Sequence, residues 1–322
     1  MSMWNHTTVT EFILVGFSNY PNLQVPLFLI FLGVYTITLT GNMLIILVTS
    51  IDSSLHSPMY FFLRNLATLE IGFTLVIVPK MLINLLVENK IISFAGCASQ
   101  LYLLSYFGTT ECCLLTAMAY DRYVAICNPL RYPDIMTRRA CFQLAGASWF
   151  SGFPVATVQM IWIFSLPFCG PNQVNHFFCD IPPVMELACA DTSLLEIEAL
   201  IATVLFIMFP FLLVLVSYMW IITTILRMPL EEGRHKAFST CSSHLVVVTL
   251  FYGTAISTYF QPKSSNSPET KKLISLTYTM VTPMLNPIIY SLRNKEVKGA
   301  LRRTLGRKLF SEKIPNPAVV SL

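Results

Sequence analysis

Apolar residues in this chain come in long blocks broken by short polar joints. Stretches 24–51, 140–179, 199–226, 237–262 and 273–292 contain no Asp, Glu, Lys or Arg, and each is long enough for the ~20 residues with which a helix crosses a bilayer. Two more stretches, 58–87 and 91–120, are as apolar but carry Arg64, Glu70 and Lys80 in the first and Glu111 in the second. A soluble core helix could hide such charges, yet neither flank supplies a soluble domain. Counting both predicts an all-α, integral-membrane bundle of seven transmembrane helices over 26–51, 58–87, 93–127, 139–166, 194–227, 234–261 and 271–292. An odd number of crossings leaves 1–25 on one face and 293–322 on the other. No internal repeat is visible. The connections are short except for 167–195, and a loop of that length tends to carry function.

Composition sharpens the membrane reading. Charged residues make up 12% of the chain and mean hydropathy is +0.63, against a charged share of about 25% in soluble domains. Of the 21 Lys and Arg residues, 16 gather on the face shared by Arg131, Arg138, Arg234 and the C-terminal tail. That excess marks the face as cytoplasmic and 1–25 as extracellular. Residues 1–25 have no Lys or Arg and no charged region ahead of a cleavable apolar core, so the first helix is expected to be its own insertion signal. Asn5-His6-Thr7 forms a glycosylation sequon on that outer side. Past 293, Val297, Leu301, Leu305 and Leu309 recur every four residues among Lys298, Arg302, Arg303, Arg307 and Lys308. This pattern predicts a short amphipathic cytoplasmic helix, an eighth, resting on the anionic leaflet.

At 118–127 the sequence reads MAYDRYVAIC, which sets Asp121 beside Arg122 where an apolar stretch meets water. A charge pair at that depth reads as a switchable ion pair, because each charge needs a partner where solvent is scarce. With LHSPMYFFL at 55–63, KAFSTCSSHL at 236–245 and PMLNPIIYSLRN at 283–294, the chain resembles rhodopsin-like (class A) G-protein-coupled receptors. Among them it is similar to the class II, tetrapod-type odorant (olfactory) receptors. The resemblance implies a multi-pass plasma-membrane receptor, not an enzyme. Its expected partners are a small volatile odorant, the stimulatory, cyclic AMP-raising G protein of olfactory neurons and membrane lipids, with no nucleic acid.

Cys97, Cys169, Cys179 and Cys189 lie on the predicted outer side, where oxidation is permitted. Four cysteines allow three pairings, and the residues alone do not choose among them. The resemblance implies Cys97–Cys179 and Cys169–Cys189. A zinc site is disfavoured because no close Cys-x-x-Cys pair exists. Cys112, Cys113, Cys127, Cys141 and Cys241 read as packing thiols.

Helical rise places Glu70 roughly 18 Å from the inner end of its helix and Glu111 roughly 15 Å from Asp121, with Asn42 and Asn286 at a similar depth. Two carboxylates in one such layer need a cation or a shared proton. The resemblance implies a sodium-type site there, with a possible sodium ion at Glu70 and Glu111; Glu70 replaces the usual Asp, and Glu111 stands where Ser is common. Pro287, beside Asn286, kinks the seventh helix. The resemblance implies that Tyr218 and Tyr290 reorganise around Arg122 on activation. Leu101, Leu104, Ser105, Gly108, Thr109 and Cys112 make one face of the third helix. By family position Ala202, Thr203, Phe206, Tyr252, Ala255, Ile256, Tyr259 and Thr279 complete a ligand wall. No carboxylate or ammonium appears among them, which suits a small, neutral, mostly apolar ligand.

Other classes fit less well. A transporter or channel would also place acids in the membrane, but predicts repeat symmetry or broken helix pairs. An intramembrane hydrolase has only Ser105 and His244, near opposite ends of different helices. A non-olfactory receptor of the same superfamily for another lipophilic ligand is the nearest alternative.

Overall fold

The computed structural model describes residues 9–303 apart from 19, 170, 229–230, 260–267 and 294–295. Seven long helices form the bundle: α1 (Gln24–Ile51), α2 (Pro58–Leu86), α3 (Phe94–Cys127), α4 (Arg138–Phe164), α5 (Ser193–Leu226), α6 (Glu231–Tyr259) and α7 (Pro268–Leu276, continuing through Thr277–Val281 to Thr282–Arg293). Helices are the form in which a chain can satisfy its backbone donors and acceptors without water. Their starts follow local chemistry. Ser93 caps α3 by accepting from the Gly96 N–H, Thr137 caps α4 by accepting from Ala140, and Pro58 stands in the first turn of α2, where a missing N–H costs nothing. Two π turns, Val204–Met208 in α5 and Thr277–Val281 in α7, each insert an extra residue into the helical ladder.

Five of the described helices are long and apolar enough to cross a membrane by composition alone: Pro21–Ile51, Pro58–Leu86, Arg138–Phe164, Ser193–Leu226 and the Cys241–Thr258 part of α6. Their outward faces carry Leu29, Phe150, Leu212, Met219 and Trp220, all exposed, as a lipid-facing surface requires. α3 is the central strut, packed against α2, α4 and α5, and its charged Glu111 and Asp121 are buried. Gly152 lets the α4 backbone reach α3, because a Cβ there would lie 2.6 Å from the Tyr106 carbonyl oxygen.

The structure departs from the all-α expectation in one place. A three-stranded sheet, order β2-β1-β3, joins β1 (Glu11–Leu14) to β2 (Ile91–Ser93) antiparallel and to β3 (Gln173–Val174) parallel. Phe12 pairs with Ile92 and Ile13 with Gln173. The strands are too short for a period-two pattern to stand out from their surroundings. Phe12 and Leu14 point inward and are fully buried beside Cys97, Cys179 and Val174. Disulfides Cys97–Cys179 and Cys169–Cys189 close this end of the bundle.

At the opposite end residues 296–303 form the eighth helix, α8. Its Val297 and Ala300 are buried in the main apolar cluster, with Leu301 packed against it. The described part of the apolar stripe therefore docks on the bundle itself, where the sequence pattern suggested a lipid surface. Tyr60 donates to Glu296 at 2.7 Å, and Arg303 pairs with Asp52 at 2.8 Å. Leu305, Arg307, Lys308 and Leu309 lie outside the described residues, as does Asn5.

Candidate functional site

The disulfide-bearing end of the bundle encloses a cavity of about 1060 Å³. Of the predicted wall, Leu104, Ser105, Gly108, Thr109 and Cys112 of α3, Ala202, Thr203 and Phe206 of α5, and Ala255 of α6 line it. Four predicted residues do not. Leu101 is buried with the Cys97–Cys179 cluster under the sheet. Tyr252 is fully buried, its ring against Phe211 and its hydroxyl donating to the Cys112 carbonyl at 3.0 Å. Ile256 packs against the apolar cluster nearer Arg122. Thr279 sits in the α7 π turn and donates to the Ser275 carbonyl at 2.7 Å. Each keeps the helical period yet commits its side chain to packing or to a hydrogen bond within the protein. The side chain of Tyr259 lies outside the described residues.

The rim corrects the expectation of a lining without charge, because Asp180, Glu186, Glu196, Lys271 and Lys272 border the cavity. They come from loop and helix-end positions whose course no periodicity gives. The rim is tied down. His176 shares a hydrogen bond with Ser275 at 3.0 Å, Tyr278 donates to Asp180 at 3.2 Å, and Lys272 donates to the Gly16 carbonyl at 3.1 Å. Burial lowers the His176 imidazole to about 4, so it is neutral at pH 7.

Midway along the bundle lies a polar layer. Asn286 donates from Nδ2 to Glu70 Oε1, and Glu111 faces the Glu70 carboxyl. Glu70 Oε2, Glu111 Oε1, Asn286 Oδ1 and Thr74 Oγ1 are buried without a hydrogen-bond partner among the described residues. All four are oxygens, the donor type a hard cation takes, so the residues present fit the sodium ion that the resemblance implies. Asn42 does something else. Its Nδ2 donates to Thr38 O at 3.0 Å and Pro283 O at 3.3 Å. Pro287 has no N–H to give the carbonyl four residues back, and Asn42 supplies the missing donor from α1.

Near the far end, Asp121 is buried, 3.9 Å from the Arg122 guanidinium, and accepts from the Tyr132 hydroxyl at 2.7 Å. Burial, then the Asp121 carboxylate, push the Tyr132 phenol up, so it stays protonated as the donor. Tyr218 and His244 stack and share a 2.6 Å hydrogen bond. Tyr218, His244 and Tyr290 all lie within electrostatic reach of Arg122. The Tyr290 hydroxyl is buried, with no hydrogen-bond partner among the described residues.

The family profile described as olfactory receptor matches residues 31–308. The chain belongs to the olfactory receptor family. It is 67% identical to human olfactory receptor 10A4 over 97% of this chain and 100% of that protein. It is 62% identical to human olfactory receptor 10A7, over 96% and 98% of the two. The crystal structure of squid rhodopsin matches the fold with a TM-score of 0.71 at 18% identity, covering 92% of this chain and 89% of that one. The protein is thus a seven-helix, multi-pass membrane receptor of a family that is not enzymatic, with an odorant and a G protein as its kinds of partner.

Sequence reasoning about this olfactory receptor missed several groups. Tyr132 pairs with Asp121 from a polar joint that carried no signal. His244 was a weak hydrolase candidate, and its place is beside Tyr218; a lone His inside the apolar run 237–262 was the available clue. Gln159 lines the cavity from α4, and an amide deep in a long charge-free block was the available clue.

Proposed function

We propose that this olfactory receptor binds small, neutral, mostly apolar volatiles in the cavity at its disulfide-bearing end and promotes nucleotide exchange on a stimulatory, cyclic AMP-raising G protein at the Arg122 end. In this reading 1–25 faces the exterior of the plasma membrane, 26–292 is the receptor domain and 293–322 is cytoplasmic. The observation that carries it is the stacking of three units along α3: cavity at Leu104–Cys112, paired acids at Glu111 and ion pair at Asp121–Arg122. A ligand that binds one arrangement of the helices better shifts the population toward it. Tyr252 supports such coupling, since it packs beneath the cavity and bonds the α3 backbone at Cys112.

Glu70, Glu111 and Asn286 are the residues that would hold sodium. The ion would supply positive charge to two buried carboxyls, and Asn286 already orients one of them. Opening the Arg122 end frees the guanidinium from Asp121 and brings Tyr218 and Tyr290 to it.

The test is a cyclic AMP reporter cell exposed to a broad odorant panel, with surface labelling of the receptor. At least one odorant raises cyclic AMP in the parent, and Arg122→Ala lowers that response by at least about tenfold, as loss of a buried charged contact implies. A surface-labelled parent silent to the whole panel, or an odorant-gated current in place of cyclic AMP, would sink the reading.

A further inference from the structure

We propose that Gln159 is the polar anchor of the cavity and that the ligand class it selects is a neutral oxygenated aliphatic molecule, an aldehyde or alcohol, whose head group lies on the α3–α4 wall. This rests on the odorant-receptor reading above and names the ligand of the same cavity.

Hydroxyl side chains inside helices of this protein generally donate to the carbonyl one turn back, as Thr110, Thr116, Ser148, Thr203 and Thr254 do. Ser105 and Thr109 line the cavity one turn apart on α3 and make no hydrogen bond to any described residue. Gln159 is 7% exposed, lines the cavity from α4, and its amide likewise has no partner among the described residues. None of these polar atoms is sealed inside the protein; lining the cavity without a partner in the described residues, they are open to bond whatever fills it.

Helix packing brings the three to that wall. Gly152 seats α4 against the Tyr106 backbone of α3, and Gln159 lies two turns beyond it on the same face, with Val155 between, also lining the cavity. Leu104, Val155, Phe206 and Phe251 give the cavity apolar surface. The amide offers two donors and an acceptor, and each hydroxyl offers both. A carbonyl or hydroxyl oxygen beside Gln159 bonds its amide, whereas a hydrocarbon displaces water from the amide without replacing the bond. The wall itself holds no charge. The charged residues that border the cavity, Asp180, Glu186, Glu196, Lys271 and Lys272, come from the loop after α4 and from the starts of α5 and α7, so a charged head group finds no counter-ion on the α3–α4 wall.

The test applies straight-chain alkanes, alkanols and alkanals of matched chain length to cells carrying a cyclic AMP reporter, with surface labelling. Gln159→Met keeps side-chain length and removes the amide. It raises the half-maximal concentration of the most potent alkanal or alkanol about tenfold, the worth of one buried hydrogen bond, and leaves or improves the weak response to alkanes. Gln159→Asn and Ser105→Ala, which perturb the wall less, shift the same compounds by a smaller factor and decide the matter if Gln159→Met does not reach the surface. An equal shift for every head group, or no shift in surface-labelled variants, overturns the inference. A parent that answers other odorants but no aldehyde or alcohol overturns it while leaving the receptor reading intact. A surface-labelled parent silent to every odorant overturns both.

Discussion

A Cβ built on Gly152 would lie 2.6 Å from the Tyr106 carbonyl oxygen and 2.9 Å from the Thr110 hydroxyl. Backbone cannot swing aside as a flexible side chain can, so Gly152→Ala is expected to push α4 off α3 at a cost of about 1–3 kcal/mol. A lowered thermal midpoint of the detergent-purified receptor checks this, and an unchanged midpoint would count against the packing described. His176 makes a prediction about pH. Burial holds its imidazole at about 4, below the ordinary 6.5. The folded loop keeps it neutral while an unfolded loop takes up a proton, so this contribution is complete above pH 6.5 and fades as pH falls towards 4. By pH 5 the loss is about 2 kcal/mol. Between pH 7 and pH 5 the midpoint of the parent should therefore fall further than that of His176→Gln; equal falls would place the sensitivity elsewhere.

Helices were legible because the hydrocarbon demands long uninterrupted apolar blocks, and five of the seven lack any ionisable acid, Lys or Arg over a full crossing. α2 and α3 needed one more step, that Glu70, Glu111 and Asp121 would face inward, and all three are buried. The cavity was less legible. Period alone puts Leu101, Tyr252, Ile256 and Thr279 on plausible faces, but a side chain that seals two helices and one that faces a void obey the same spacing. What separates them is depth and the approach distance of neighbouring helices, set by small residues such as Gly152 and by the π turns at Val204–Met208 and Thr277–Val281. Each π turn shifts the angular phase of all that follows it by about 100°, so family position and local periodicity need not agree beyond it. The charged rim was hidden for another reason: the loop carrying Asp180 and Glu186 takes its course from two disulfides and the sheet, not from any repeat.

Across the molecule, covalent and noncovalent ties at the cavity mouth join distant segments. Cys97–Cys179 closes a separation of 82 residues and Cys169–Cys189 one of 20. Loop-closure entropy favours the longer tie by about 1 kcal/mol. Cys97→Ser is accordingly expected to reduce surface labelling and thermal midpoint more than Cys169→Ser, and the reverse order would argue that local loop shape matters more than chain connectivity. The sheet adds a tie with a temporal side. β1 is synthesised before any helix of the bundle, yet it lies between β2 and β3, and β3 emerges only after α4. Until then this first-made strand waits with one edge bare, and an edge of unpaired amides and carbonyls is adhesive. A ribosome halted after β2 but before the segment that follows α4 therefore leaves that edge of the nascent receptor uncovered.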